Sequence, residues 1–154
     1  MLVAACAFPA LGSADEQVPL ATELIAEVRE TVRGPEGREI HRFLPATLLS
    51  QGQVVYYTVR IENTTSAAVW PVEVTQRIPA NTTYVLGSAA GPGAEVLLSA
   101  DGGASFETER RRKASAAGKV EEDDASRYTH IRWRLRFPLA AGAVALARFR
   151  AVFN

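Results

Sequence analysis

The sequence predicts an all-β chain, an antiparallel β-sandwich of about eight to nine strands, and three observations carry that prediction. Beyond position 50 apolar residues alternate with polar ones, the period of a strand with one buried and one wet face. Short apolar runs return at a spacing of roughly 10 to 14 residues, and Gly, Pro and Asn turns separate them. The chain has 154 residues, 47% hydrophobic and 22% charged, which is enough apolar material for one core without disulfides or a structural metal. A single domain over residues 15–154 is therefore expected. Seventeen basic and seventeen acidic residues cancel to a formal charge of +0, so the chain has no global field to draw in nucleic acid or an anionic membrane. Specific nucleic-acid binding is not expected, and any polyanion must meet a local patch.

The first fourteen residues read as an export signal. Met1 to Leu11 is apolar apart from Pro9, and Gly12-Ser13-Ala14 places small residues before Asp15-Glu16, as signal peptidase requires. No Lys or Arg precedes the apolar run and the run is short, which a true start upstream of Met1 would explain. Val3-Ala4-Ala5-Cys6 is similar to a bacterial lipobox, making Cys6 the candidate lipidation site, although it lies very close to Met1. Cys6 is the only cysteine, so no intramolecular disulfide can form. The expected address is export to the periplasm, the cell surface or the medium. No other run reaches the roughly 20 apolar residues of a membrane span.

Leu20 to Val32 fits two periods, because Leu20, Leu24, Val28 and Val32 have helical spacing while Leu24, Ala26 and Val28 alternate with charged residues. Gly34-Pro35-Glu36-Gly37 followed by Arg38 to Leu44 favours a hairpin of two strands. Val55, Tyr57, Val59 and Ile61 then mark a strand that ends at the turn Asn63-Thr64-Thr65-Ser66. A further strand runs from Val69 to Ile78 and is stopped by Pro79-Ala80-Asn81. Thr82 to Leu86 and Glu95 to Leu98 are short strands, and Asp101-Gly102-Gly103 is a tight turn. Residues 107–127 form a long charged loop carrying Arg110-Arg111-Arg112-Lys113 and Glu121-Glu122-Asp123-Asp124. Ile131, Trp133, Leu135 and Phe137 define an inward face opposite Arg132, Arg134 and Arg136. Ala143 to Phe153 closes the chain, with Arg148 and Arg150 facing outward.

Gln53 to Val59, Glu62-Asn63-Thr64 and Val72 to Val85 resemble the conserved-repeat module of prokaryotic surface and secreted proteins, the family named domain of unknown function eleven. In that pattern a strand ends in an Asn-Thr turn, a second ends near Ile-Pro, and a Thr-x-Tyr-Val strand follows. Ser99 to Phe106 and Tyr128 to Trp133 extend the likeness, which spans residues 20 to 154. Gln76 stands where the pattern usually has Asp, and Ser50-Gln51-Gly52 where it has Pro-Gly. The resemblance implies an immunoglobulin-like sandwich outside the cytoplasm and no particular reaction.

The chemistry of the side chains points to binding rather than catalysis. His41 and His130 lack zinc spacing, no serine lies in a nucleophile elbow, and no glycine-rich phosphate loop precedes a helix. Neither a cofactor nor a metal is expected; Asp101, Asp123 and Asp124 offer oxygen ligands without EF-hand spacing. Asn63 and Asn81 sit in glycosylation sequons but are also what turns require. Arg132, Arg134 and Arg136, extended by Arg148 and Arg150 on a hairpin neighbour, form a candidate polyanion row, since guanidinium forks suit phosphate and sulfate. The same row is also a solvated face that Glu62 and Glu73 can neutralise, with no aromatic residue interleaved. Trp70 is the more open of the two tryptophans and a candidate carbohydrate platform, though core packing accounts for both. The expected function is a non-enzymatic structural or adhesive domain of the bacterial envelope, meeting a protein or an envelope polymer. The alternative is a polyanion- or carbohydrate-binding module.

Overall fold

A computed structural model describes residues 19–109 and 125–154. Among them are nine strands, no α-helix and two single turns of 3-10 helix, arranged in two antiparallel sheets. The strands are β1 (Leu20–Arg33), β2 (Glu39–Pro45), β3 (Val54–Asn63), β4 (Glu73–Arg77), β5 (Thr82–Tyr84), β6 (Ala94–Ser99), β7 (Glu107–Thr108), β8 (His130–Leu135) and β9 (Val144–Phe153). One sheet has the order β2-β1-β3-β9-β5 and the other β4-β8-β6-β7.

The period-two patterns become buried faces. Val55, Tyr57, Val59 and Ile61 of β3 and Ala145, Ala147, Phe149 and Ala151 of β9 turn one way; Val74, Leu98, Ile131, Trp133 and Leu135 of the second sheet turn to meet them. Trp133 lies 6.1 Å from Phe149 across the gap, and Phe149 stacks on Tyr57 at 4.8 Å. The architecture is thus sandwich-like, with two inner faces forming one core; the outer face of the five-stranded sheet mixes Arg60, Arg148 and Arg150 with exposed Phe43, Val144 and Leu146. The Trp133 indole N–H donates to Ala90 O at 3.1 Å, so the largest buried ring also has its polar atom satisfied.

Leu20 to Arg33 is a strand throughout. It pairs with β3 over Leu20–Val28 and with β2 over Glu27–Arg33. Since β3 starts at Val54, the ribbon from Glu30 to Arg42 runs past the body of its sheet as a two-stranded arm. Asn63 ends β3 as the turn reading expects: it is fully buried, its amide donates to the carbonyls of Ala67, Leu139 and Ala140, and its Oδ1 accepts from Thr65 N and Oγ1.

Three expectations are corrected. Phe137 is not part of the inward face, because β8 ends at Leu135 and Phe137 is 62% exposed, lying over Gly93. A Cβ at Gly93 would stand 2.1 Å from the exposed Phe137 ring, which would have to swing aside, and Gly93 has φ +51°, a conformation that favours glycine. Second, β8 and β9 do not form a hairpin. After Phe137-Pro138 the chain tucks Leu139 into the core, bridges it to Val69 and crosses to the other sheet. Third, the long loop is shorter than its sequence limits, since Glu107–Thr108 pairs with β6 and Ala125–Arg127 forms a 3-10 turn. Its two charged quartets, Asp123 and Asp124 among them, lie wholly outside the described residues, as do Cys6 and the whole signal-like segment.

Candidate binding surfaces

The five arginines of the candidate row are divided by the topology. Arg132 and Arg134 lie on β8 and project from the outer face of the four-stranded sheet, with Arg136 just beyond the strand. Arg148 and Arg150 lie on β9 and project from the outer face of the five-stranded sheet. The two groups therefore look in opposite directions. Periodicity reveals which residues share a side of one strand, but not which sheet that strand joins.

Within the β8 group Arg132 and Arg134 are neutralised where they stand, whereas Arg136 has no carboxylate partner among the described residues. Arg134 bonds Glu73 and reaches Glu95 at 3.3 Å, and the Glu73 bond raises the guanidinium still further above its usual value. Arg132 donates to Thr75 Oγ1 at 2.9 Å, lies 3.9 Å from Glu73 and covers the Phe106 ring at 3.7 Å. An aromatic residue does accompany the arginines on this face, from the loop before β7 rather than from β8 itself.

On the other face Arg60 pairs with Glu62, while Arg148 and Arg150 have no carboxylate partner among the described residues. Arg150 stands opposite Tyr56 and Arg148 opposite Thr58. Tyr56 in turn meets Phe43 of β2 edge to face at 5.0 Å. Two free guanidiniums, about 7 Å apart along the strand, thus border an aromatic pair that sequence reading did not bring together. The missing signal was the β1–β2 register, which carries Phe43 to that side.

Trp70 is 56% exposed, so its role is not core packing, whereas Trp133 is wholly buried. His41 bonds Thr31 Oγ1 at 2.9 Å on the arm, and His130 bonds Thr129 Oγ1 at 3.0 Å in the second sheet, so the two histidines serve different sheets. Asp101 accepts from Ser99 Oγ, Ser105 Oγ and Ser105 N at 2.6 to 2.9 Å; the Ser105 bonds are the main cause of a pKa held well below the usual carboxylate range. Its oxygens are committed to the turn, and among the described residues no three His, Cys, Asp or Glu side chains converge on a metal position. Burial, with a lesser contribution from the Glu109 charge, pushes the Tyr84 phenol up to about 12; its hydroxyl donates to Glu109 at 3.3 Å and accepts from Ala89 N at 3.1 Å.

Two open grooves mark the surface. One of about 490 Å³ runs beside Ile78, Pro79, Asn81, Tyr128 and His130. The other, of about 500 Å³, lies between Ala90-Gly91-Pro92 and the start of β9.

No family model, curated protein or solved structure matches this chain.

Proposed function

We propose that the chain is an exported, non-enzymatic, immunoglobulin-like domain that serves a structural or adhesive role in a bacterial envelope by binding a protein partner. Its likeness to the surface-protein module named domain of unknown function eleven and the sandwich-like pairing of two antiparallel sheets support the fold assignment. The observation that carries the function is the β1–β2 arm. A two-stranded ribbon is marginal in water, yet this one runs past β3 and exposes Ile40 at 43%, while Phe43 at its base, against Tyr56, is 50% exposed. The Glu30–Arg42 pair at 2.6 Å and the Thr31–His41 bond hold its strands together. Neither Val32 nor Ile40 belongs to the core, which supports the arm as the surface that meets a partner.

A second reading, polyanion or carbohydrate binding, is favoured by the free Arg148 and Arg150 beside Tyr56 and Phe43. It involves only one of the two arginine groups.

The test is fractionation of a bacterial host expressing the chain with its N-terminal segment. A comparison variant replaces Arg29 to Phe43 by Asn-Gly, which closes a two-residue hairpin between the hydrogen-bonded pair Val28 and Leu44 and removes both Ile40 and Phe43. Wild type is expected in the envelope fraction with a mature start at Asp15, and the trimmed variant as a freely released export. A cytoplasmic protein with unmodified Met1 overturns export, and equal retention of both proteins overturns the arm as the contact.

A further inference from the structure

The edge of the five-stranded sheet beside β9 is only half covered. From the chain end backwards, Thr83 pairs with Val152, Val85 N donates to Arg150 O at 2.9 Å, and Ser88 Oγ accepts from Arg150 N at 3.0 Å. Ala90 then exchanges two bonds with Arg148, at 2.8 and 2.9 Å. There the cover stops. Pro92 has no N–H with which to continue the ladder, and Gly93 turns the chain away to begin β6 in the opposite sheet.

Backbone groups alternate sides along a strand, so Leu146 and Val144 aim their N–H and C=O the same way as Arg148, away from β3. The described residues provide neither with a partner on that side. The groove of about 500 Å³ lies along this bare edge. Val144 and Leu146 are 43% and 41% exposed, Pro92 lies across the groove, and Phe137 sits over the adjoining Gly93. The rim is basic. Arg148 stands at the closed end and Arg136, whose N–H donates to Gly93 O at 2.9 Å, beyond the opposite wall; neither has a carboxylate partner among the described residues.

We propose that this edge binds an extended acidic peptide of a partner protein, added as a strand against Val144–Leu146. The inference deepens the reading of the chain as a protein-binding domain and rests on it. Ladder bonds from Leu146 and Val144 supply the register. The peptide residue opposite Ala145 directs an apolar side chain into the groove, and its neighbours, on the outer side, bring carboxylates toward Arg148. An unpaired edge with apolar flanks is a hazard unless it is filled, and the basic rim selects what fills it.

The experiment uses the purified chain and a fluorescein-labelled Glu-Val-Glu-Val-Glu-Val peptide, read by fluorescence polarisation, with Lys-Val-Lys-Val-Lys-Val as the opposite-charge probe. The acidic probe is expected to bind at least tenfold more tightly, and Arg148→Glu to reverse the order. N-methylation of one alternate set of peptide amides should abolish binding while the other set is tolerated. Leu146→Pro, which removes an N–H that faces away from β3, should weaken binding at least tenfold. If that variant does not fold, the N-methylated probes carry the test alone. Equal binding of acidic and basic probes, equal tolerance of both N-methylated sets, or no binding overturns the proposal. So does a wild-type dimer in sedimentation that Arg148→Glu or Leu146→Pro renders monomeric, since the edge would then hold a second copy. If the peptide fails while envelope retention still depends on the arm, only this inference falls and the protein-binding reading stands.

Discussion

Trp133 has no exposed surface, stands 6.1 Å from Phe149 and gives its indole proton to Ala90 O, whereas its chain neighbour Arg134 keeps 46% of its side chain in water. Trp133→Ala leaves a cavity between two sheets and is expected to cost about 3 to 5 kcal/mol, while Arg134→Ala removes surface ion pairs and is expected to cost less than about 1 kcal/mol. Chemical denaturation checks both, and equal costs would mean that the faces of β8 are reversed. Asp101 supplies the pH prediction. Its folded-state pKa is depressed from 3.8 by the Ser105 and Ser99 bonds, so its contribution is fully present above about pH 4 and is lost as pH falls through the folded value. Wild type should therefore lose more stability than Asp101→Asn between about pH 5 and about pH 2.5. Parallel losses in denaturation midpoints would show that the turn does not hold the carboxylate.

At the scale of elements, β2 tests whether the arm is bare. Ile40, Arg42 and Leu44 pair with β1 through their backbone groups, in phase with the Ala46 N to Ala26 O bond, which leaves His41 and Phe43 aimed at the open edge. Amide hydrogen exchange should be fastest at His41 and Phe43, slower at Ile40 and Arg42, and slowest at Tyr57 to Ile61 in the core of β3. Protection of the arm equal to that of β3 would mean that another surface covers it. The strands themselves were legible because a half-buried strand writes its two faces into alternate residues, as in Val55 to Glu62. The sequence was also sufficient for the hairpin at Gly34 to Gly37 and for the turn at Asn63. Phe137 was misassigned because alternation continued for one step after the ladder had ended, at a position where Gly93 leaves room for an exposed ring. The bare edge of β9 was invisible for a different reason: it depends on Ala90 pairing with Arg148, 58 positions on, and on Pro92 then failing to pair.

For the whole molecule, a formal charge of +0 gives no long-range attraction, and the effective charge of any polyanion site depends on how many arginines one polymer can touch. Stacked sheets lie about 10 Å apart, with side chains extending beyond each, so a polymer on one outer face does not reach the other. The four-stranded face offers Arg132 and Arg134 already engaged by Glu73, Thr75 and Glu95, with Arg136 alone unpaired beyond the strand; the five-stranded face offers the adjacent pair Arg148 and Arg150 without carboxylate partners among the described residues. A row of five would give a salt slope of about −4.5 in log affinity against log salt, at roughly 0.9 per neutralised phosphate on duplex DNA, and a pair gives about −2. Retention on DNA at low ionic strength is therefore expected to show the shallower slope. Arg148→Ser with Arg150→Ser should bring it near zero with little change in melting temperature, because both side chains are exposed. Arg132→Ser with Arg134→Ser should leave the slope unchanged. A slope near −4.5, or flattening by the second pair of substitutions, would show that the polymer reaches both faces and that the division by topology does not govern binding. If there is no salt-sensitive retention on DNA, heparin or a teichoic-acid-like polymer, the polyanion reading fails, and the β1–β2 arm and the β9 edge remain as the contact surfaces.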